Sequence, residues 1–431
     1  MQRTMRSMSA TQEVLGKAEE RFGNLRHLGL ATFYFGLSFT WLPYPLVLLQ
    51  HQIGTFNFPP DQITPVIGYT AAAGAFFSVV VPPLVGALSD RITTPWGRRR
   101  PLMVAGMLLS LVGILLMWNA SSYPQLLVGH LIVQISLNGA AAAYYGIIPD
   151  VVPEGEFGKA SGFLSVMSAS GALLGFATTT VLSTFHAVVQ SYLVMAVVLA
   201  LSVIPVLWAG SEEGKRPVVH HPRLPLRAAV ADFFRPMWGG DFAWVIFTRM
   251  MVTGGIAAVS YFLSPFFKYV VRVDNPDQFT SIWLGVAFAA MILPGLLGGS
   301  ASDRYGRKRF VYAAGALQIA VAAFFIVFYP TQIWIVLVLA VVYGLGYGLY
   351  VAVDWALACD TVPDRARSAK DMGLFHVGQT LPNSIIPAIE GVLIAFFNSH
   401  AANSGYRVAF GSVIFFFLLG TIFVTRIRSV R

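Results

Sequence analysis

Charge is scarce in this sequence: Asp, Glu, Lys and Arg together make up 11% of the 431 residues, against 56% hydrophobic ones. A water-soluble domain of this length needs a polar exterior and cannot hide so much apolar surface in one core. Cysteine is nearly absent. Cys359 stands alone, which excludes an intrachain disulfide and leaves a zinc site without its partners. No nucleophile and base, no metal-ligand cluster and no phosphate-binding glycine loop can be assembled, because the glycine pairs fall inside apolar runs. Enzymatic activity, a cofactor, a metal site and nucleotide-driven pumping are therefore not expected. The opening stretch is basic but polar, with Glu13, Glu19 and Glu20 ahead of any apolar run, so it lacks the layout of a cleaved signal peptide.

Long apolar runs are abundant. A bilayer core of about 30 Å requires roughly 20 apolar residues in a helix, and runs of that length recur at 28–50, 64–89, 100–119, 123–148, 159–184, 190–209, 241–270, 278–301, 309–329, 331–358, 369–398 and 404–425. They are too long for barrel strands. The expected fold class is all-α membrane, with twelve transmembrane helices in the inner or plasma membrane and the lipid bilayer as solvent.

A net charge of +9 could indicate nucleic acid, so the positions of the 29 Lys and Arg decide the matter. With both termini cytoplasmic, 25 fall in the termini and cytoplasmic loops, leaving Lys268, Arg272 and Arg407 on the other side and Arg249 within a span. That partition is the positive-inside pattern. It accounts for the basic charge without a nucleic-acid partner.

The chain is also written twice. After the second span it reads Gly86-Ala-Leu-Ser89-Asp90-Arg91 and then Gly97-Arg98-Arg99-Arg100-Pro101; after the eighth it reads Gly299-Ser-Ala-Ser302-Asp303-Arg304-Tyr-Gly306-Arg307-Lys308-Arg309. In the same register, Asp150-Val-Val-Pro153-Glu154 matches Asp360-Thr-Val-Pro363-Asp364. A repeat of this length predicts two like bodies. The organisation expected is a cytoplasmic segment 1–27, a six-helix bundle 28–209, a cytoplasmic linker 210–240, a second bundle 241–425 and a tail 426–431.

These loop motifs resemble the major facilitator signature, and the resemblance covers nearly the whole chain. The longer first copy, ending in Trp96-Gly-Arg-Arg-Arg-Pro101, is similar to the sucrose-proton symporters and the related glycoside-pentoside-hexuronide:cation symporters. The resemblance implies a secondary transporter in which the first, fourth, seventh and tenth helices border a central cavity. It further implies that Asp90 with Arg91 latches onto the start of helix eleven, and Asp303 with Arg304 onto helix five. The charge logic is independent of that likeness: Asp90, Asp150, Asp303 and Asp360 all stand at helix C-termini, where the dipole disfavours a carboxylate by about 0.3–1 kcal/mol. Something must hold them, and the neighbouring arginines are candidates. The cytoplasmic latch set is Gly86, Asp90, Arg91, Gly97, Arg98, Arg99, Asp150, Glu154, Asp303, Arg304, Gly306, Arg307 and Asp360.

Ionisable residues deep in a span are costly and point to function. Tyr343, Tyr347, Tyr350 and Asp354 share one face of the tenth span, with Gly344 and Gly348 allowing close packing. Phenols beside an acid suit a polar, ring-shaped solute, although tyrosines also fill helix interfaces. Arg249 lies at similar depth in the seventh span, with Thr253, Ser260 and Ser264 continuing its face. An unpaired guanidinium costs at least about 2.5–3.5 kcal/mol there, so Asp354 is the expected partner. The eleventh span carries His376, Gln379, Asn383 and Glu390 on one stripe, with Pro382 and Pro387 expected to bend it. Burial destabilises a carboxylate anion, which lets a buried acid take up and release a proton near neutral pH. Asp354 and Glu390, with Arg249, are therefore the proton-coupling candidates. In the first half, His130, Gln134 and Asn138 repeat every four residues in the fourth span, and Tyr34, Ser38 and Trp41 precede a break at Pro43 and Pro45 in the first. These are candidate ligand contacts, although a lone membrane histidine more often braces one helix against another.

The leading expectation is a monomeric transporter coupling protons to a sugar, glycoside or similar small polar solute. A proton-driven exporter of amphipathic or drug-like compounds is the alternative, and a non-transporting membrane sensor is a third class. Asp90→Asn is expected to cripple transport while leaving membrane insertion intact; transport assays beside a membrane-fraction blot check both.

Overall fold

A computed structural model describes residues 22–89, 92, 94–153, 156–211, 235–361 and 368–429, and regular structure among them is helical. Twelve helices are long and apolar enough to cross a membrane. We label them α1 (Asn24–Trp41, continued by Tyr44–Leu48 and Leu49–Thr55), α2 (Pro60–Ser89), α3 (Arg100–Trp118), α4 (Tyr123–Val151), α5 (Phe157–Thr184) and α6 (Ser191–Ala209). The second six are α7 (Asp241–Ser260, continued by Leu263–Phe266 and Phe267–Val271), α8 (Pro276–Tyr305), α9 (Arg307–Phe328), α10 (Ile333–Thr361), α11 (Ser368–His400) and α12 (Ser404–Phe423). The expected N-terminal segment is too long by a turn. Helix α1 starts at Asn24, taking Leu25, Arg26 and His27 into its first turn, and the last helix closes at Phe423 in a short 3-10 turn, Val424–Arg426. Most of the linker lies outside the described residues.

The packing follows the repeat. Helix α1 lies on α5 and α6 as α7 lies on α11 and α12; α4 packs on α2 and α3 as α10 packs on α8 and α9. Two six-helix bundles result, and they meet through α2 against α11 and α5 against α8. These two contacts exchange under the same pseudo-symmetry.

The signature glycines have a local reason. Gly97 and Gly306 adopt φ of 99° and 93°, a region that costs an L side chain steric strain, and each turns the chain between two spans. Prolines mark another symmetric feature. Pro43 and Pro45 lead into a π turn at Tyr44–Leu48 in α1, and Pro265 into one at Phe267–Val271 in α7. A proline lacks the N–H of the ladder and crowds the carbonyl four residues back, so the helix widens locally. The first break is legible in the sequence; the second follows a single proline and is not. Helix α11, by contrast, continues through Pro382 and Pro387.

The two bundles are drawn together at the end opposite the chain termini, called here the far end. His51 Nδ1 on α1 lies 2.6 Å from Asp277 Oδ2 on α8, whose other oxygen accepts from Ser264 at 2.7 Å. Asn275 donates to the Ser183 carbonyl at 3.2 Å, Gln278 to Thr184 at 2.7 Å, and Thr179 to Ser281 at 2.9 Å. Helices α2 and α11 touch there through backbone: a Cβ at Gly68 would meet the Pro387 carbonyl oxygen at 2.4 Å, and one at Gly391 the Thr64 oxygen at 2.5 Å. Gly391→Val is expected to wedge the far end apart. In a Cys359→Ser background, labelling of Ser281→Cys by an impermeant maleimide from that side should rise.

Candidate functional site

The second bundle holds an ionic cluster inside the membrane. Arg249 of α7 pairs through Nη1 with Asp354 Oδ2 of α10 and donates from Nη2 to Gln379 Oε1 of α11 at 2.5 Å. Its guanidinium carbon stands 3.8 Å from the centre of the Phe375 ring, a cation–π contact. Tyr350 donates to Asp354 Oδ1 at 2.7 Å. The side chains of Arg249 and Asp354 retain only 10% and 13% exposure, while Arg249 Nε is buried without a partner.

Helix periodicity explains the assembly. The tyrosines and Asp354 share one face of α10, and the glycines lie on another: a Cβ at Gly344 would meet the Ala287 carbonyl oxygen at 2.1 Å, and one at Gly348 the Met291 oxygen at 2.5 Å. Backbone contact with α8 on the glycine face leaves the tyrosine face to α7 and to the first bundle. Tyr343 hydrogen-bonds Ser260 and sits 5.2 Å from the Trp283 ring. Tyr347 is within electrostatic reach of Arg249, Asp354 and Tyr34, the last belonging to α1. The cluster therefore borders the seam between the bundles. Thr253 is buried on α7, and Asn383 turns its amide back to the Gln379 carbonyl at 3.0 Å. Glu390 is 2% exposed on α11, hydrogen-bonded by Ser412, with Oε2 lacking a partner. The side chain of His376 lies outside the described residues.

The first-bundle candidates form something different. Tyr44 hydroxyl contacts His130 Nδ1 at 3.1 Å and accepts from Gln134 at 2.9 Å; Ser78 donates to Gln134 at 3.1 Å, and Asn138 donates to Ser78 at 3.1 Å. Tyr44, His130, Gln134 and Asn138 are buried and, with half-buried Ser78, link α1, α2 and α4, while His130 Nε2 and Asn138 Oδ1 stay buried without a partner. Ser38 bonds Ser168 of α5 at 2.8 Å, Tyr34 packs edge-on against Tyr145, and Trp41 is half-buried.

At the terminal end, Asp150 accepts from Arg98 at 2.6 Å and Arg99 at 2.8 Å, and Arg99 also reaches Ser89 at 2.8 Å. Gly146 makes room, since a Cβ there would lie 2.3 Å from Arg99 Nε. The repeat of this contact is Arg307 with Asp360 at 2.6 Å. Both pairs lie within one bundle. Asp90, Arg91 and Glu154, and the side chain of Asp303, fall outside the described residues, as do the cross-bundle latches inferred for them; Arg304 is exposed. Tyr44, Phe375 and the His51–Asp277 contact escape sequence reasoning. Tyr44 sits between two prolines, and Asp277 reads as an ordinary acid in a helix's first turn.

Residues 64–428 match the family described as MFS/sugar transport protein. The chain belongs to that family. Similar MFS proteins include the cis,cis-muconate transport protein of Acinetobacter baylyi, 33% identical over 150 residues, or 34% of this chain and 33% of the relative. The lactose permease of Leuconostoc lactis is 21% identical over 365 residues, 76% of this chain and 54% of its own, and a sucrose transport protein of Arabidopsis thaliana is 25% identical over 190 residues, 40% and 36%. The matched stretch thus spans between a third and about half of these relatives' length. Among solved structures, a variant of the nucleoside transporter NupG superposes with a TM-score of 0.71 at 13% identity over 94% of this chain and 100% of that one. A D-xylose-proton symporter gives 0.68 at 15%, over 93% and 96%. At such identities the likeness establishes the fold, a multi-pass helical membrane protein.

Asp354→Asn leaves Arg249 buried without a counter-charge and is expected to lower the thermal unfolding midpoint in detergent. Arg249→Gln with Asp354→Asn should recover most of the loss, with a coupling energy of about 2 kcal/mol in the double-mutant cycle.

Proposed function

We propose that this protein is a secondary transporter working by alternating access, with cytoplasmic termini, that couples protons to the movement of a sugar, glycoside or similar small polar solute. The observation that carries the reading is the Arg249, Asp354, Tyr350 and Gln379 cluster: a buried acid whose charge can be met by an arginine or by a proton, placed on the seam between two bundles. The distribution of Lys and Arg supports the orientation, which makes the far end external. The bundles then meet on the external side through the far-end contacts, a closure that alternating access would have to break.

Two carboxylates serve proton coupling in this reading. Asp354 exchanges its arginine for a proton; Glu390, with one oxygen unpartnered, takes one up without releasing any cation. Asp150 and Asp360 hold their loop arginines within each bundle, keeping the cytoplasmic ends rigid as the bundles rock. Among the relatives, the lactose and sucrose proteins are named for neutral disaccharides and the muconate protein for a dicarboxylate, so the shared theme is a small polar solute.

The test is counterflow of labelled lactose, sucrose, glucose and D-glucuronate in proteoliposomes with and without a pH gradient. Saturable exchange of at least one, with gradient-driven accumulation lost in Asp354→Asn or Glu390→Gln, is the expected result. Gradient-driven accumulation surviving in both variants removes the coupling assignment. Indifference to every polar solute, with extrusion of an amphipathic dye, would favour an exporter.

A further inference from the structure

We infer that the solute carries a carboxylate, which takes the place of Asp354 on Arg249 when Asp354 takes up the proton. This rests on the transport reading above and narrows its solute class.

The argument is one of charge. Arg249 is held by one anion, Asp354; its remaining contacts are the neutral Gln379 amide and the Phe375 ring, and Nε has no partner. The titratable and charged groups around Asp354 among the described residues are Arg249 from α7 and Tyr350 and Tyr347 from its own helix, with Tyr34 reaching Tyr347 from α1. None of them is a second acid. Glu390 lies eleven residues along α11 from Gln379, about 16 Å at the helical rise, and is turned to Ser412 of α12. In the first bundle no acidic residue falls between Asp61, in the opening turn of α2, and Asp90 at its far terminus, and none lies in α1 or in α4 before Asp150.

Protonating Asp354 therefore strips Arg249 of its only counter-charge among the described residues, in a region where an unpaired guanidinium is strongly disfavoured. A neutral sugar brings hydroxyls and no charge. A carboxylate restores the pair: Nη1, vacated by Asp354, and the adjoining Nη2, held here only by the neutral Gln379 oxygen, present parallel donors suited to bidentate recognition. Tyr350 and Tyr347, beside the guanidinium, offer hydroxyls and ring faces to the rest of the solute. The cycle then carries one proton on Asp354 and one negative charge on the solute, and is electrically neutral.

A matched pair of probes tests this. D-glucuronate and D-glucose differ only in the oxidation of C6, and cis,cis-muconate adds an acyclic acid. In proteoliposomes of the full chain, glucuronate or muconate is expected to exchange and to accumulate under an inside-alkaline gradient. Accumulation of glucuronate, a monoanion, should not respond to a potassium and valinomycin potential, and glucose should not exchange. Arg249→Gln should lower exchange of the acid by about tenfold or more, with partial rescue by Arg249→Lys. Asp354→Asn should bind the acid with an affinity that no longer depends on pH, read by tryptophan fluorescence on folded protein. Glucose exchanging as well as the acid, potential-driven uptake of glucuronate, or an Arg249→Gln/Asp354→Asn double variant exchanging the acid at the wild-type rate each overturn the inference. So does exchange of lactose or sucrose with neither acid recognised, which leaves the transport reading standing. No exchange of any solute removes both.

Discussion

A guanidinium inside a bilayer must have its counter-charge beside it, and the second bundle is arranged to meet that condition. Three helices supply the surroundings of Arg249: α10 gives the carboxylate, α11 the amide and the aromatic ring, and α7 the arginine itself. The glycine face of α10, packed on α8, sets which way Asp354 and Tyr350 point. Desolvation makes the pair expensive to form and more expensive to break singly, since either partner alone would remain buried and charged. Such a contact resists disturbance until a proton or another ion offers an equivalent arrangement. That property suits a group at the seam of two moving bodies.

The bundles share a fold and divide the chemistry. Their helix pairings correspond one to one, as do the glycine turns at Gly97 and Gly306, the arginine–aspartate pairs at the terminal ends, and the π turns of α1 and α7. Inside the membrane the correspondence stops. Where α10 has an ion pair, α4 has His130, Gln134 and Asn138 bound to one another and to Tyr44 and Ser78. The first bundle is braced by neutral hydrogen bonds, and the second carries charge. In the proposed cycle, symmetric scaffolds with an asymmetric interior would let both halves rock on like hinges, with proton coupling placed in the second.

The far-end contacts mix two kinds of interaction. Backbone-to-backbone packing at Gly68 and Gly391 is sensitive to a single methyl group, whereas the polar set around Asn275, Asp277 and Gln278 is reversible in water. Close packing specifies the closed arrangement, and exchangeable hydrogen bonds allow it to part.

Helix number, repeat and class were legible in the sequence because hydrocarbon imposes run length and the repeat imposes register, both one-dimensional signals. The pairing of Arg249 with Asp354 was legible too, since equal depth in two spans and the cost of a lone charge leave few alternatives. Role was not. Periodicity put His130, Gln134 and Asn138 on one face, but only packing revealed that Tyr44 and Ser78 are their partners and that His130 Nε2 and Asn138 Oδ1 are left without one. Likewise the Arg249–Phe375 and His51–Asp277 contacts join residues 126 and 226 positions apart in the chain, brought together by helix rotation and bundle docking. The sequence alone determined which residues must be buried and which charges need partners; the tertiary structure decided which partners they found, because direction around a helix axis and distance between bundles are set by packing and have no linear code.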